Sequence, residues 1–270
     1  MSRTPIDWIS VGGLAAAFEG ESNCLPPVEV LAGQRLSLSM HNGIVLEVEF
    51  TTGSRLSYAV ARGDTDLEDS TASYRATEIR PGILFVDFIA ASQRATTLSL
   101  LLDWARGICT VVVGLLPALS ELTRALPTRV KDGSELTGVV AAFWHGTINS
   151  PWKPDSPRHS LTEELVGKRI EYTYSRTERY EHFYLNSSLY TWHCLAGAEC
   201  GLADTDQCHY YKLGPQLYLF VWREKIVPTL GVVIVDLHQC KTTGKIFGYR
   251  DFEGQAVSNF PIGARARVLT

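Results

Sequence analysis

The chain has 270 residues, enough for two domains of about 130. Its hydrophobic content of 45% and charged content of 20% fit an ordinary globular protein, and a net charge of −4 argues against a nucleic-acid-binding surface. No apolar run reaches the roughly 18–20 residues of a membrane span.

The opening 1–20 contains a short apolar stretch but no basic segment or clear cleavage site. Asp7 and Glu19 also speak against a leader. Cys24, Cys109, Cys194, Cys200, Cys208 and Cys240 therefore read as free thiols in a reducing compartment, and a cytoplasmic location is expected. Each half then reads as a run of short strands. Leu115, Leu119, Leu122 and Leu126 recur at helical spacing, which predicts a helix at about 117–126 that Pro127 ends. A strand at 137–148 completes the first half. Three prolines between Asn149 and Ser160 predict an extended, poorly packed linker. Strands are predicted at 169–175, 179–185, 189–195, 209–213, 217–224, 229–237 and 242–249, each rich in β-branched or aromatic residues. Turn formers such as Asn186-Ser187-Ser188 and Gly214-Pro215 separate them. Short strands at this spacing suggest an antiparallel barrel or sandwich.

The two halves repeat. Leu31-Ala-Gly-Gln-Arg-Leu36 matches Leu165-Val-Gly-Lys-Arg-Ile170, and Ile83–Phe88 matches Leu217–Trp222, both at an offset of 134. Gly114 and Gly248, Glu47 and Glu181, and Ser54 and Ser188 fall on the same offset. Several separated anchors at one offset indicate an old internal duplication. The expected domains are 1–148, a linker at 149–160, and 161–270.

Residues i and i+2 of a strand share a face. Tyr172 and Tyr174 therefore lie with Ile170, opposite Arg169, Glu171 and Thr173, and should point inward. Tyr218, Phe220, Trp222 and Glu224 share a face in the same way, which brings Glu224 inside near a barrel mouth. A carboxyl there is costly unless paired or functional, and its pKa should rise. Beside two phenols it would form a proton-transfer site. Subtracting 134 gives Leu38, Met40 and Ala90 in the first half, so the first copy has apolar residues at all three positions. Packed core tyrosines and a solvated rim glutamate remain the plainer alternative. Tyr180, Tyr184, Tyr190, Trp192, His193, His209, Tyr211 and Trp222 are candidate pocket-lining residues. His193-Cys194, Cys200 and Cys208-His209 lack paired metal-ligand spacing, so no metal is expected. Asp204-Thr205-Asp206 reads as a solvated turn. There is no phosphate-binding glycine loop or nucleophile elbow.

Val166-Gly-Lys-Arg-Ile-Glu-Tyr-Thr-Tyr174, Tyr180-Glu181-x-x-Tyr184, Trp222-x-Glu224 and Gly244-Lys-Ile-Phe247 resemble the core of the phenolic acid decarboxylases over about 165–248. The whole chain resembles the MoaF family, named for molybdenum-cofactor biosynthesis, whose members look more at home near aromatic amine metabolism. These resemblances imply an all-β fold of two tandem lipocalin-like (calycin) antiparallel barrels. They also imply a second barrel that acts on a phenolic or conjugated small acid without metal or organic cofactor. Tyr172 and Tyr174 would match the pair that holds a substrate carboxylate, Glu224 the acid that handles the proton, and Tyr180 a further pocket tyrosine. The decarboxylases pair their acid with an arginine, whereas the matching stretch here is Cys200-Gly201-Leu202. Proton transfer is thus the broader expectation, by a lyase, an isomerase or a hydratase, with a non-catalytic binding barrel as the competing class. The first barrel is expected to be structural, docking on the second or forming a homodimer contact, with no nucleic-acid or membrane partner.

Overall fold

Leu36, Leu38 and Met40 are buried while Arg35, Ser37 and Ser39 alternate with them outward, which makes 35–40 a strand with one wet face. The same logic runs through the computed structural model, which describes residues 7–19, 22–92 and 94–270. The chain forms two closed eight-stranded antiparallel barrels in tandem. The first barrel contains β1 (Arg35–Met40), β2 (Val45–Phe50), β3 (Arg55–Arg62), β4 (Ser70–Arg80), β5 (Ile83–Ala90), β6 (Thr96–Asp103), β7 (Ile108–Leu115) and β8 (Val140–Ile148). Each strand pairs with the next, and β8 returns to β1.

After the two-residue β9 (Ser160–Leu161), the second barrel is built from β10 (Arg169–Thr173), β11 (Arg179–Tyr184), β12 (Leu189–Ala196), β13 (Ala203–Gly214), β14 (Leu217–Glu224), β15 (Thr229–Asp236) and β16 (Lys241–Tyr249). β17 (Val257–Ile262) lies beside β16, and β18 (Arg265–Val268) closes the ring between β16 and β10. β17 and β18 were not among the sequence-predicted strands. The 134-residue offset is carried strand by strand: β2, β3 and β5 begin at 45, 55 and 83, and β11, β12 and β14 at 179, 189 and 217.

The compact units are not contiguous in sequence. One joins the described residues up to Cys24 with Pro117–Val139 and Leu161–Thr270, and the other joins Leu25–Leu116 with Val140–Ser160. The N-terminal apolar stretch is helix α1 (Val11–Phe18), and Val11 and Leu14 belong to the second barrel's core. The Ser10 hydroxyl caps it by accepting from the Gly13 amide at 3.2 Å. Residues 1–6, part of the stretch read for a leader, lie outside the described residues. The single helix expected at about 117–126 is instead α2 (Leu119–Leu122) and α3 (Leu126–Lys131). Pro127 sits in the first turn of α3, where its missing N–H costs nothing, so it starts a helix rather than ending one.

The segment expected to be a loose linker is anchored. His159 is 1% exposed, and its Nδ1 lies 2.8 Å from the Thr110 hydroxyl. The same hydroxyl is 2.9 Å from His145 Nδ1, so it donates to one ring and accepts N–H from the other. Burial first, then the nearby charges of His41, His159 and Arg158, pulls the His145 pKa down to about 4. The folded state thus resists protonation. The stability contributed by this neutral imidazole is full above the unfolded pKa of about 6.5 and is lost as pH falls toward 4, an effect of up to about 3 kcal/mol. His145→Asn should therefore unfold with a shallower pH dependence than the parent between pH 7 and 4.5 in denaturant titrations. Parallel profiles would refute the assignment.

Candidate functional site

The second barrel holds a partly enclosed aromatic cavity. β10, β11, β12 and β14 send Tyr174 (just past the end of β10), Tyr180, Tyr190, Trp192 and Trp222 into it, together with His182, Glu199 and Glu224. Leu14 and Phe18 of α1 and Ile246 of β16 complete the wall. Phe18 packs on Tyr174 at 5.1 Å and on Phe260 at 5.9 Å between ring centroids, and Trp8 meets Trp192 edge-on at 5.9 Å. The helix approaches β16 this closely because two glycines leave room. A Cβ on Gly12 would lie 2.4 Å from the Arg250 carbonyl oxygen, and one on Gly248 would lie 2.4 Å from Val11. With α1 seated the cavity is only about 30 Å³, room for two or three waters at about 10–15 Å³ each.

Glu224 Oε1 accepts a hydrogen bond from the Trp222 indole at 2.8 Å. Burial drives its carboxyl well above the usual carboxylate range. Asp206, Glu199 and Asp204 raise it further, against the single indole bond. Asp206 is 2% exposed and accepts from the Trp192 indole at 3.0 Å. Its parity on β13 points it inward, so Asp204-Thr205-Asp206 is strand and not the solvated turn expected. Lys225 Nζ balances this pair, 2.5 Å from Asp204 and 3.3 Å from Asp206. Tyr180 donates to Glu199 Oε2 at 2.9 Å, and burial raises the Glu199 pKa. No lysine or arginine lines the cavity among the described residues. The hydroxyls of Tyr174 and Tyr190 have no hydrogen-bond partner among them either, and burial raises both phenols. The arrangement is a buried acid of raised pKa beside free phenolic donors in an aromatic, low-dielectric cavity.

Six sequence candidates thus converge: Tyr174, Tyr180, Tyr190, Trp192, Trp222 and Glu224. Tyr172 and Tyr184 point into the barrel but lie outside the cavity lining, their hydroxyls 2.6 Å apart. His193 does not reach the cavity, because Tyr190 and Trp192 occupy the inward positions of β12. His209 and Tyr211 alternate outward on β13, opposite the buried core residues Cys208 and Tyr210. Sequence reasoning missed His182, Glu199 and α1. Inward parity from Tyr180 and Tyr184 could have found His182, and the Ser10 cap could have found α1. Nothing local marks Glu199, which sits in a loop. Among the described residues no group of three or more His, Cys, Asp or Glu side chains is placed to hold a metal ion. No helix there is long and apolar enough to cross a membrane.

In the first barrel the equivalents at the 134 offset are Met40, Leu46, Val48, Leu56, Tyr58, Phe88 and Ala90, all buried or nearly so in one apolar cluster. Fold and site together define a tandem β-barrel protein with a polar, aromatic-lined cavity in its second copy. Comparison with known proteins gives the family. Residues 6–118 match the MoaF N-terminal domain and residues 159–270 the MoaF C-terminal domain, and the chain belongs to the MoaF family. Protein MoaF of Klebsiella aerogenes is 39% identical over 265 residues, spanning 97% of this chain and 95% of that one. A solved structure from Burkholderia vietnamiensis, described as "a putative beta-lactamase", covers 41% of this chain and 100% of its own at 14% identity, with a TM-score of 0.33.

Proposed function

We propose that the second barrel is a cofactor-independent lyase that transfers a proton to a phenolic or conjugated small acid held in this cavity. The observation that carries the reading is Glu224, a carboxyl buried among aromatic rings, raised by burial and by the Asp206, Glu199 and Asp204 carboxylates, with a single indole donor. Such a group holds its proton more tightly than an ordinary carboxyl and is suited to act as a general acid. Tyr174 and Tyr190 supply free hydroxyls to orient the substrate. The Glu224 proton forms the new C–H bond at the carbon bearing the carboxylate. The C–C bond to that carboxylate then breaks, its electron pair restores the double bond, carbon dioxide leaves, and water reprotonates Glu224. Tyr174 of the tyrosine pair and the Trp222-x-Glu224 motif, which resemble the phenolic acid decarboxylases, support this chemistry. The six free cysteines support a reducing, cytoplasmic setting.

The test is a panel of hydroxycinnamates and related enol acids, followed by carbon dioxide release and product mass. Carbon dioxide with a lighter product is expected. Unchanged mass with a new chromatographic position would make the protein an isomerase working through the same acid. Saturable quenching of tryptophan fluorescence with no product would make it a binding barrel and overturn the enzymatic reading.

A further inference from the structure

Among the polar cavity side chains that the proposed reaction does not use, Tyr180 and Glu199 bond to each other and Trp192 to Asp206, whereas His182 has a buried nitrogen with no partner. It sits on β11, inward, 5% exposed, and its ring lines the cavity. Five aromatic rings surround it, Tyr184 among them at 6.2 Å. Ring centroids lie 4.8 Å away at Tyr172, 5.2 Å at Tyr190, 5.8 Å at Phe220 and 6.1 Å at Trp222. Its Nδ1 is buried without a hydrogen-bond partner. A buried polar atom left this way costs stability, so packing alone would favour an apolar residue. The first barrel is the internal control: its equivalent position, 48, is Val48, buried in the core. Burial also pulls the imidazole pKa down to about 3, which keeps the ring neutral and one ring nitrogen an acceptor.

We propose that His182 is a specificity-determining residue of the second barrel, accepting a hydrogen bond from the phenolic or enolic O–H of the ligand. The inference rests on the cavity being a ligand site, and it deepens the proposed function by naming the ligand group that is read. The tyrosine hydroxyls can donate to a phenol or an ether oxygen alike, so what separates the two ligands is the O–H that the acceptor nitrogen of His182 takes and an ether lacks. The site therefore selects an aromatic hydroxyl over its methyl ether.

The experiment is calorimetric titration of the full chain with 4-ethylphenol and with 4-ethylanisole, which differ in that one donor. The parent protein should bind the phenol about tenfold tighter. His182→Phe should lose that preference while unfolding at an equal or higher denaturant concentration, because the orphaned nitrogen is gone. His182→Gln keeps an acceptor and should restore part of the preference. Equal affinities in the parent, or a preference that survives in His182→Phe, would overturn the assignment. Failure of both probes to bind would overturn the ligand site with it. The preference is read without turnover, so a protein that releases no carbon dioxide yet shows a His182-dependent preference would sink the lyase reading and leave this one standing.

Discussion

Glu224→Gln should lower turnover of whichever panel acid is accepted by about 10²–10⁴-fold, the usual cost of removing a positioned acid, while the fold persists. Gln keeps the shape and can still accept from the Trp222 indole, but it has no acidic proton to give. The substitution carries a second, independent signature. Burial and the Asp206, Glu199 and Asp204 carboxylates hold the folded pKa of Glu224 above its unfolded value of about 4.3. A raised pKa means that the folded state binds the proton more tightly. Its stability contribution is complete below the unfolded pKa and is lost as pH rises through the folded one. Glu224→Gln should therefore be as stable as the parent at low pH and more stable at high pH. Full activity in the variant would remove Glu224 from the mechanism. A parent-like pH profile would show that its carboxyl is not held neutral.

Gly231→Ala should destabilise the protein by about 1–3 kcal/mol, the range for overpacking a filled core, and should damage the site as well. Gly231 on β15 lies directly across from Trp222, whose ring covers it. A Cβ there would sit 2.1 Å from the indole. The ring cannot stay where it donates to Glu224 if that space is taken. The first barrel shows how the same pair of positions is otherwise filled, because Phe88 stands opposite Leu98. Combining Gly231→Leu with Trp222→Phe should therefore recover much of the packing. It should not recover the site, because phenylalanine has no N–H for Glu224. Denaturant midpoints and ligand titrations on the single and double variants check both halves of the claim. A fully stable Gly231→Ala protein would refute it.

The division between what was legible and what was not follows from the physics of strands and barrels. Parity along a strand is local, so inward Tyr174, Tyr180, Trp222 and Glu224 could be read directly from residue spacing. The duplication was legible because it compares the chain with itself. It also separated the two barrels, since Leu38, Met40 and Ala90 stand at the positions that Tyr172, Tyr174 and Glu224 hold in the second. Parity on its own, however, does not say how deep in a barrel a residue lies or which hydroxyl takes which partner. Tyr172 was legible as inward, yet it bonds to Tyr184 outside the cavity lining. His193, His209 and Tyr211 were grouped with the pocket for their chemistry and lie on the wrong face of their strands.

What the sequence by itself determined is the repeat, the all-β architecture and the inward placement of the acid, all of which depend on short-range pattern. Only the tertiary structure decided that an N-terminal helix more than 200 residues away in sequence lines the same cavity as Glu224, that Asp206, Glu199 and Asp204 are carboxylates bearing on it, and that His182 lies there with an unpartnered Nδ1. Those facts depend on burial and on contacts between segments far apart in the chain. Burial and the neighbouring carboxylates are also what raise the pKa of this glutamate well above the usual carboxylate range.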